Sequence, residues 1–198
     1  MTNKILFPIV LDGKTRSLRD TLTRKLSYYT DLPRSDLLEI GIGNGRFGFL
    51  LGDRVASYSG VDIDPEMVEI AKTNIPEGAK INYKVGRGEN IPFYNKFDIV
   101  FYALSWHFMK NFNKALSEAD RVLKEDGIVA ILEPSERSRS WADTRLRKGW
   151  PDFNEDMLNQ KISELRIARQ AIREQKSFKI VENQHITAPA TDFYVLKK

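Results

Sequence analysis

From Asp36 to Glu133 short apolar runs alternate with segments of helical period, and this alternation constrains the fold more than any other feature of the 198 residues. Strand-like runs cover 36–41, 58–63, 81–85, 97–103 and 127–133, and helical spacing begins near 45 and covers 65–74 and 111–124. Several of the runs are apolar without alternation, as in strands buried on both faces, so the pattern predicts an α/β, doubly wound, mostly parallel sheet with helices on both faces. Local signals agree. Asp64 can cap the helix that Pro65 opens, and Gly127 is expected to close the helix ending "RVLKED", with Lys124 in its last turn.

The flanks fit around that core. Leu18, Leu22 and Leu26 recur at helical spacing in a lead-in over 1–35. The core spans 36–133, and a polar, basic and aromatic excursion then opens 134–176. That excursion ends in an amphipathic helix, with Leu158, Ile162, Leu165, Ala168 and Ile172 on one face and Arg166, Arg169 and Arg173 on a solvated one. "FKIVE" and "TDFYVLKK" read as two closing strands within 177–198. No repeat or linker divides the chain, so 1–198 is expected to form one domain.

Composition narrows the chemistry. Without cysteine there is no disulfide, thiolate metal site or sulfur nucleophile, and His107 and His185 are too far apart for ligand spacing. No apolar run approaches the ~18 residues of a membrane span, and Pro8 and Asp12 spoil the first run as an export signal, so a cytoplasmic location is the expectation. A net charge of +4 permits an anionic partner such as RNA without requiring one.

"LLEIGIGNG" places Gly41, Gly43 and Gly45 where the first strand turns into its helix, at the edge where doubly wound sheets bind ligands. Glycines there allow a tight turn and let a ligand lie against the backbone. Asp62 ends the second strand about 20 residues on, where a carboxylate can accept from ribose hydroxyls. A dinucleotide fingerprint would need its third glycine at position 46, which is Arg46, so a nicotinamide cofactor is disfavoured.

Together, "LLEIGIGNG", "GVDIDPEMVEIAK", "ENIPFYNKFDIVFYALSWHF" and "ALSEADRVLKEDGIVAILEP" resemble, in order and spacing, the motifs of class I S-adenosylmethionine-dependent methyltransferases. The resemblance runs from about Asp36 to Pro134 and implies a seven-stranded sheet with its last strand antiparallel. It also implies S-adenosylmethionine as cofactor and S-adenosylhomocysteine as product. By the same likeness Glu39, Gly41 and Gly43, with Asn44 and Gly45 in the same turn, meet the methionine end. Asp62 holds the ribose, Ile63 walls the adenine, and Gly88 of "GRGENIPF" offers its N–H to the ring. Where the family carries an aspartate that accepts from the adenine amino group, this chain has Arg87, which has no acceptor; Glu89 or a backbone carbonyl would have to serve.

After the fourth strand, "YALSWHFMKN" corresponds to the substrate-facing segment of that family. It brings Tyr102 to the cofactor, Trp106 and His107 to the substrate, and makes His107 the candidate general base. Trp141 in the excursion is a further substrate candidate, and the excursion itself reads as a lid. A small-molecule acceptor is the expectation. RNA or protein methylation is the alternative within enzymes, and a non-catalytic binding module of the same fold, motivated by Arg87, is the alternative outside them.

Overall fold

The structure, a computed structural model, describes residues 9, 12–135, 154–186 and 191–198. Among the described residues five α-helices, α1 (Gly13–Tyr29), α2 (Arg46–Leu51), α3 (Pro65–Thr73), α4 (Phe112–Val122) and α5 (Glu155–Glu174), surround seven strands. The strands are β1 (Asp36–Ile40), β2 (Ser57–Asp62), β3 (Ile81–Val85), β4 (Phe97–Ala103), β5 (Leu123–Pro134), β6 (Lys179–Ile186) and β7 (Thr191–Lys197). They form one mixed sheet in the order β3-β2-β1-β4-β5-β7-β6. β1 to β5 pair in parallel, whereas β7 runs antiparallel to both β5 and β6, so the expectation of a mostly parallel sheet gives way at that edge.

Period-two burial divides the core. Leu37, Phe101, Ala130 and Val195 face the side covered by Leu18, Leu22 and Leu26 of α1, with Phe47 of α2 and Val68 of α3. Leu38, Val100, Tyr102 and Tyr194 face α4 and the Ala168 and Ile172 stripe of α5. Caps begin the helices as polar side chains dictate: Asp12 accepts from Thr15 N at 2.7 Å, Asp64 from Glu66 N at 3.0 Å, and Asn111 from Lys114 N at 2.9 Å. Among the described residues no helix is long and apolar enough to cross a membrane.

Two local expectations are corrected. α4 ends at Val122, not beside Gly127, and the chain is extended from Leu123, which pairs with Phe97. Lys124 leaves the helix because its Nζ reaches Asp98 at 2.8 Å and Asp36 at 3.3 Å. Gly127 is small for a different reason: a Cβ there would fall 2.7 Å from Leu123 Cγ and 3.0 Å from the Asp98 carbonyl. Arg169, read as solvated, is 3% exposed, with its guanidinium 3.0 Å from Asp192 and donating to the Pro134 carbonyl. A buried guanidinium is tolerated only with such partners.

Candidate functional site

The strand order reverses between β1 and β4, and the turns after these two strands meet at the carboxyl edge of the sheet. Gly41, Gly43 and Gly45 all have positive φ, at 78°, 51° and 80°. The first two serve different ends. A Cβ on Gly41 would lie 2.5 Å from Ser105 Cβ, so the turn after β4 presses on the turn after β1. A Cβ on Gly43 would meet nothing within 4 Å, so this glycine bares its backbone to open space where a ligand can lie. Asn44 shapes the turn by its carbonyl, which accepts from Asn74 Nδ2 at 2.9 Å.

Asp62 binds the glycine turn to the end of β2. Its Oδ2 accepts from Gly43 N at 2.8 Å and its Oδ1 from Asp64 N at 3.0 Å. A carboxylate has about four acceptor sites, so lone pairs remain for a vicinal diol. Beside it Ile63 and Val85 are 53% and 51% exposed, and Val85 is the register partner of Asp62 on β3. A carboxylate acceptor next to two bare apolar side chains at strand ends suits a ribose and its base.

The third piece is the loop after β3. Gly88 is buried, and a Cβ there would fall 2.6 Å from Met109 Sδ and 3.0 Å from Ile40 Cγ2. Arg87 is exposed and shapes this loop through its carbonyl, which accepts from Asn90 N at 3.1 Å. Glu89 turns toward α4, its Oε1 accepting from Lys110 N at 2.7 Å and Asn111 N at 3.3 Å. That commitment removes Oε1 of Glu89 as the acceptor that Arg87 lacks. S-adenosylmethionine fits these residues: bared backbone at Gly43, a diol acceptor at Asp62, an apolar wall at Ile63.

Glu39 is corrected. It lies behind the turn, 0% exposed, where it presents no surface to the cleft. Tyr58 Oη donates to its Oε2 at 2.7 Å, and Oε1 has no hydrogen-bond partner. Burial, with Asp62 adding to it, lifts the carboxyl from its ordinary 4.5 to about 8 despite the Tyr58 bond. Between those values the folded chain keeps a proton that the unfolded chain has released, so this residue makes stability fall as pH rises through that window. Glu39→Gln cannot ionise, and its urea-derived stability is expected to decline less than wild type between pH 5 and pH 8. Equal declines would place an ionised carboxylate here.

Two aromatic candidates are corrected as well. Tyr102 points away from the cleft, fully buried, its hydroxyl donating to the Ala115 carbonyl at 3.1 Å. The alternation of β4 forces this, because Phe101 takes the opposite face. Trp106 is equally buried and holds α5, donating from Nε1 to the Ala168 carbonyl at 2.9 Å. Trp141 lies outside the described residues, as does most of the lid segment.

His107 follows at the edge of the sheet with its side chain 4% exposed and its Nδ1 2.5 Å from Glu133 Oε2. The turn that carries it has a feature sequence reasoning missed: Leu104 has a φ of 59°, rare for a branched apolar residue. Leu104 N donates to the Leu132 carbonyl at 2.7 Å, and Ser105 Oγ donates back to the Ile40 carbonyl. Glu133 was also missed, although an acid closing the apolar run "AILE" is the signal that singled out Asp62. Among the described residues no group of three or more His, Asp or Glu is placed to hold a metal ion.

Comparison with known proteins agrees with this geometry. Residues 38–131 match the family model described as a methyltransferase domain. An uncharacterized methyltransferase of Bacillus subtilis is 34% identical over 100 residues, 49% of this chain and 40% of that one. A ubiquinone/menaquinone biosynthesis C-methyltransferase of Geotalea daltonii is 31% identical over 128 residues, 61% of this chain and 53% of the relative. The chain thus spans about half the length of the curated relatives it matches. Among solved structures, the plantazolicin methyltransferase in complex with SAH superposes with a TM-score of 0.68 over 93% of this chain and 84% of its own, at 13% identity, a likeness of fold. The methyltransferase-domain match thus covers the core that carries the glycine turn and Asp62, and the likeness to the solved structure is one of fold.

Proposed function

We propose that the chain transfers the methyl group of S-adenosylmethionine to a small-molecule acceptor. One observation carries this reading: the Asp62 carboxylate is bonded to Gly43 N at 2.8 Å, beside a glycine turn open enough to take a ligand against its backbone. When bound, S-adenosylmethionine supplies a methyl group on a cationic sulfur, and the protein's task is orientation. The backbone of Gly41, Gly43, Asn44 and Gly45 receives the methionine end, Asp62 accepts from the ribose hydroxyls, and Ile63 with Val85 packs on the base. Gly88 donates its N–H to the ring. The small-molecule acceptor is supported by relatives named as acting on small molecules, such as the ubiquinone/menaquinone C-methyltransferase.

The test is methyl transfer from isotopically labelled S-adenosylmethionine, with label counted in small-molecule, RNA and protein fractions after incubation with a cell extract. Label in the small-molecule fraction is expected; label confined to RNA or protein would sink the acceptor class. Arg87 offers a second check. Restoring an acceptor with Arg87→Asp is expected to tighten S-adenosylhomocysteine binding by roughly three- to tenfold, the net worth of one ordinary hydrogen bond at this exposed position. Unchanged or weaker binding would move the adenine elsewhere.

A further inference from the structure

We infer that Ser105 is a positioning residue that ties the turn after β4 to the cofactor cleft, so that filling the cleft stiffens this turn. The ligand that fills the cleft rests on the methyltransferase reading above; the tie itself stands on geometry alone.

The turn runs from Leu104 to Met109 around a 3-10 helix, Trp106–Phe108, with Ser105 in the N-cap place. A serine there ordinarily turns its hydroxyl onto the amides of its own helix. This one forms no such bond; 4% exposed, it donates to the Ile40 carbonyl at the end of β1. That carbonyl belongs to the peptide group whose nitrogen is Gly41 N, and Gly41 N donates to the Val61 carbonyl at 2.8 Å. The last peptide plane before the glycine turn is thus held through its nitrogen by β2 and through its oxygen by Ser105. Contact reinforces the bond, since a Cβ on Gly41 would lie 2.5 Å from Ser105 Cβ.

At its far end the turn meets the loop after β3. Met109 Sδ lies 2.6 Å from the place of a Cβ on Gly88, and Lys110 N and Asn111 N donate to Glu89 at 2.7 Å and 3.3 Å. One short segment therefore touches both loops proposed to hold the cofactor. It also carries a strained residue. Leu104, at φ 59°, is held left-handed by its own N–H on the Leu132 carbonyl at 2.7 Å, by Trp106 N on Glu133 Oε1 at 2.8 Å, and by the Ser105 hydroxyl on Ile40. The first two bonds lead to β5, and the third leads to the cofactor cleft. Such a residue relaxes when a holding bond opens, which gives the turn a tight state and a loose one. A ligand lying along the glycine turn fixes the Ile40 peptide and favours the tight state.

Amide hydrogen exchange reads the two states, with S-adenosylhomocysteine as the probe ligand and Val129, Ala130 and Ile131 of β5 as reference. In wild type the ligand is expected to slow exchange at Leu104 and Trp106 about tenfold more than at the reference amides. Ser105→Ala cannot donate. It is expected to bind the ligand roughly three- to tenfold more weakly and, once saturated, to show no excess slowing. A merely structural hydroxyl would lower stability in that variant and leave the excess in place. Excess slowing absent from wild type, or kept by S105A, would overturn the role. So would complete loss of binding by folded S105A, which would put Ser105 in the ligand site itself. A second measurement needs neither ligand nor S105A. Gly41→Ala, Ser105→Gly and their combination are compared by urea denaturation, and the pair is expected to lose less stability than the two single losses added, because removing one Cβ makes room for the other. Additive losses would overturn the tie. Failure of wild type to bind S-adenosylhomocysteine would overturn the methyltransferase reading and the stiffening with it, while the denaturation cycle still judges the tie.

Discussion

Gly41→Val is expected to weaken S-adenosylhomocysteine binding on the order of a thousandfold, about 4 kcal/mol. Two penalties combine at this position. Its φ of 78° lies in the left-handed region, which costs a residue with a Cβ roughly 1–2 kcal/mol and a β-branched one more. The new Cβ would also fall 2.5 Å from Ser105 Cβ, and Ser105 cannot retreat without giving up the Ile40 carbonyl. One of the two turns must move, and both border the cleft. The control is Gly43→Ala, where nothing lies within 4 Å of the new methyl. That variant keeps the left-handed φ penalty of roughly 1–2 kcal/mol but meets no neighbour, so it should lose less stability than Gly41→Val by thermal denaturation and still bind poorly, because the methyl fills the space proposed for the ligand. Affinity retained within about tenfold by Gly41→Val would mean that the two turns are not coupled as the distances indicate.

Asp62→Ala is expected to weaken the same ligand by about a hundredfold, or ~3 kcal/mol. The substitution removes the acceptor proposed for the ribose hydroxyls and frees Gly43 N and Asp64 N, which the carboxylate fixes at 2.8 Å and 3.0 Å. Asp62→Asn keeps one acceptor oxygen and should fall between, which separates loss of charge from loss of the turn. Calorimetric affinity of both variants equal to wild type would remove Asp62 from the ligand site.

The parts of this molecule that obey local rules were legible in the sequence. β3 and β4 fall at their expected ends, α3 starts at Pro65 behind its Asp64 cap, and the five apolar positions read on α5 are all buried. The glycines were legible because positive φ leaves few other choices of residue. What escaped depends on partners far along the chain. α4 stops at Val122 because Leu123 and Lys124 are claimed by β4 and Asp36, which no window around residue 122 reveals. Arg169 sits at a surface-like position of a helical pattern, and only Asp192 and the Pro134 carbonyl make its burial tolerable. Tyr102 and Trp106 lie beside the cleft in sequence and away from it in space, since strand alternation and the docking of α5 turn their rings inward. Glu133 went unnoticed for the converse reason: its partner His107 is 26 residues away.

The most direct test of the central claim is calorimetric titration of the purified protein, freed of carried-over ligand, with S-adenosylhomocysteine and with NAD. One-site binding of S-adenosylhomocysteine is expected with a Kd between about 1 μM and 1 mM, the span of ordinary enzyme ligands, with no heat from NAD. Silence with S-adenosylhomocysteine, or preference for NAD, would contradict it: the glycine turn and Asp62 would then serve another ligand or none.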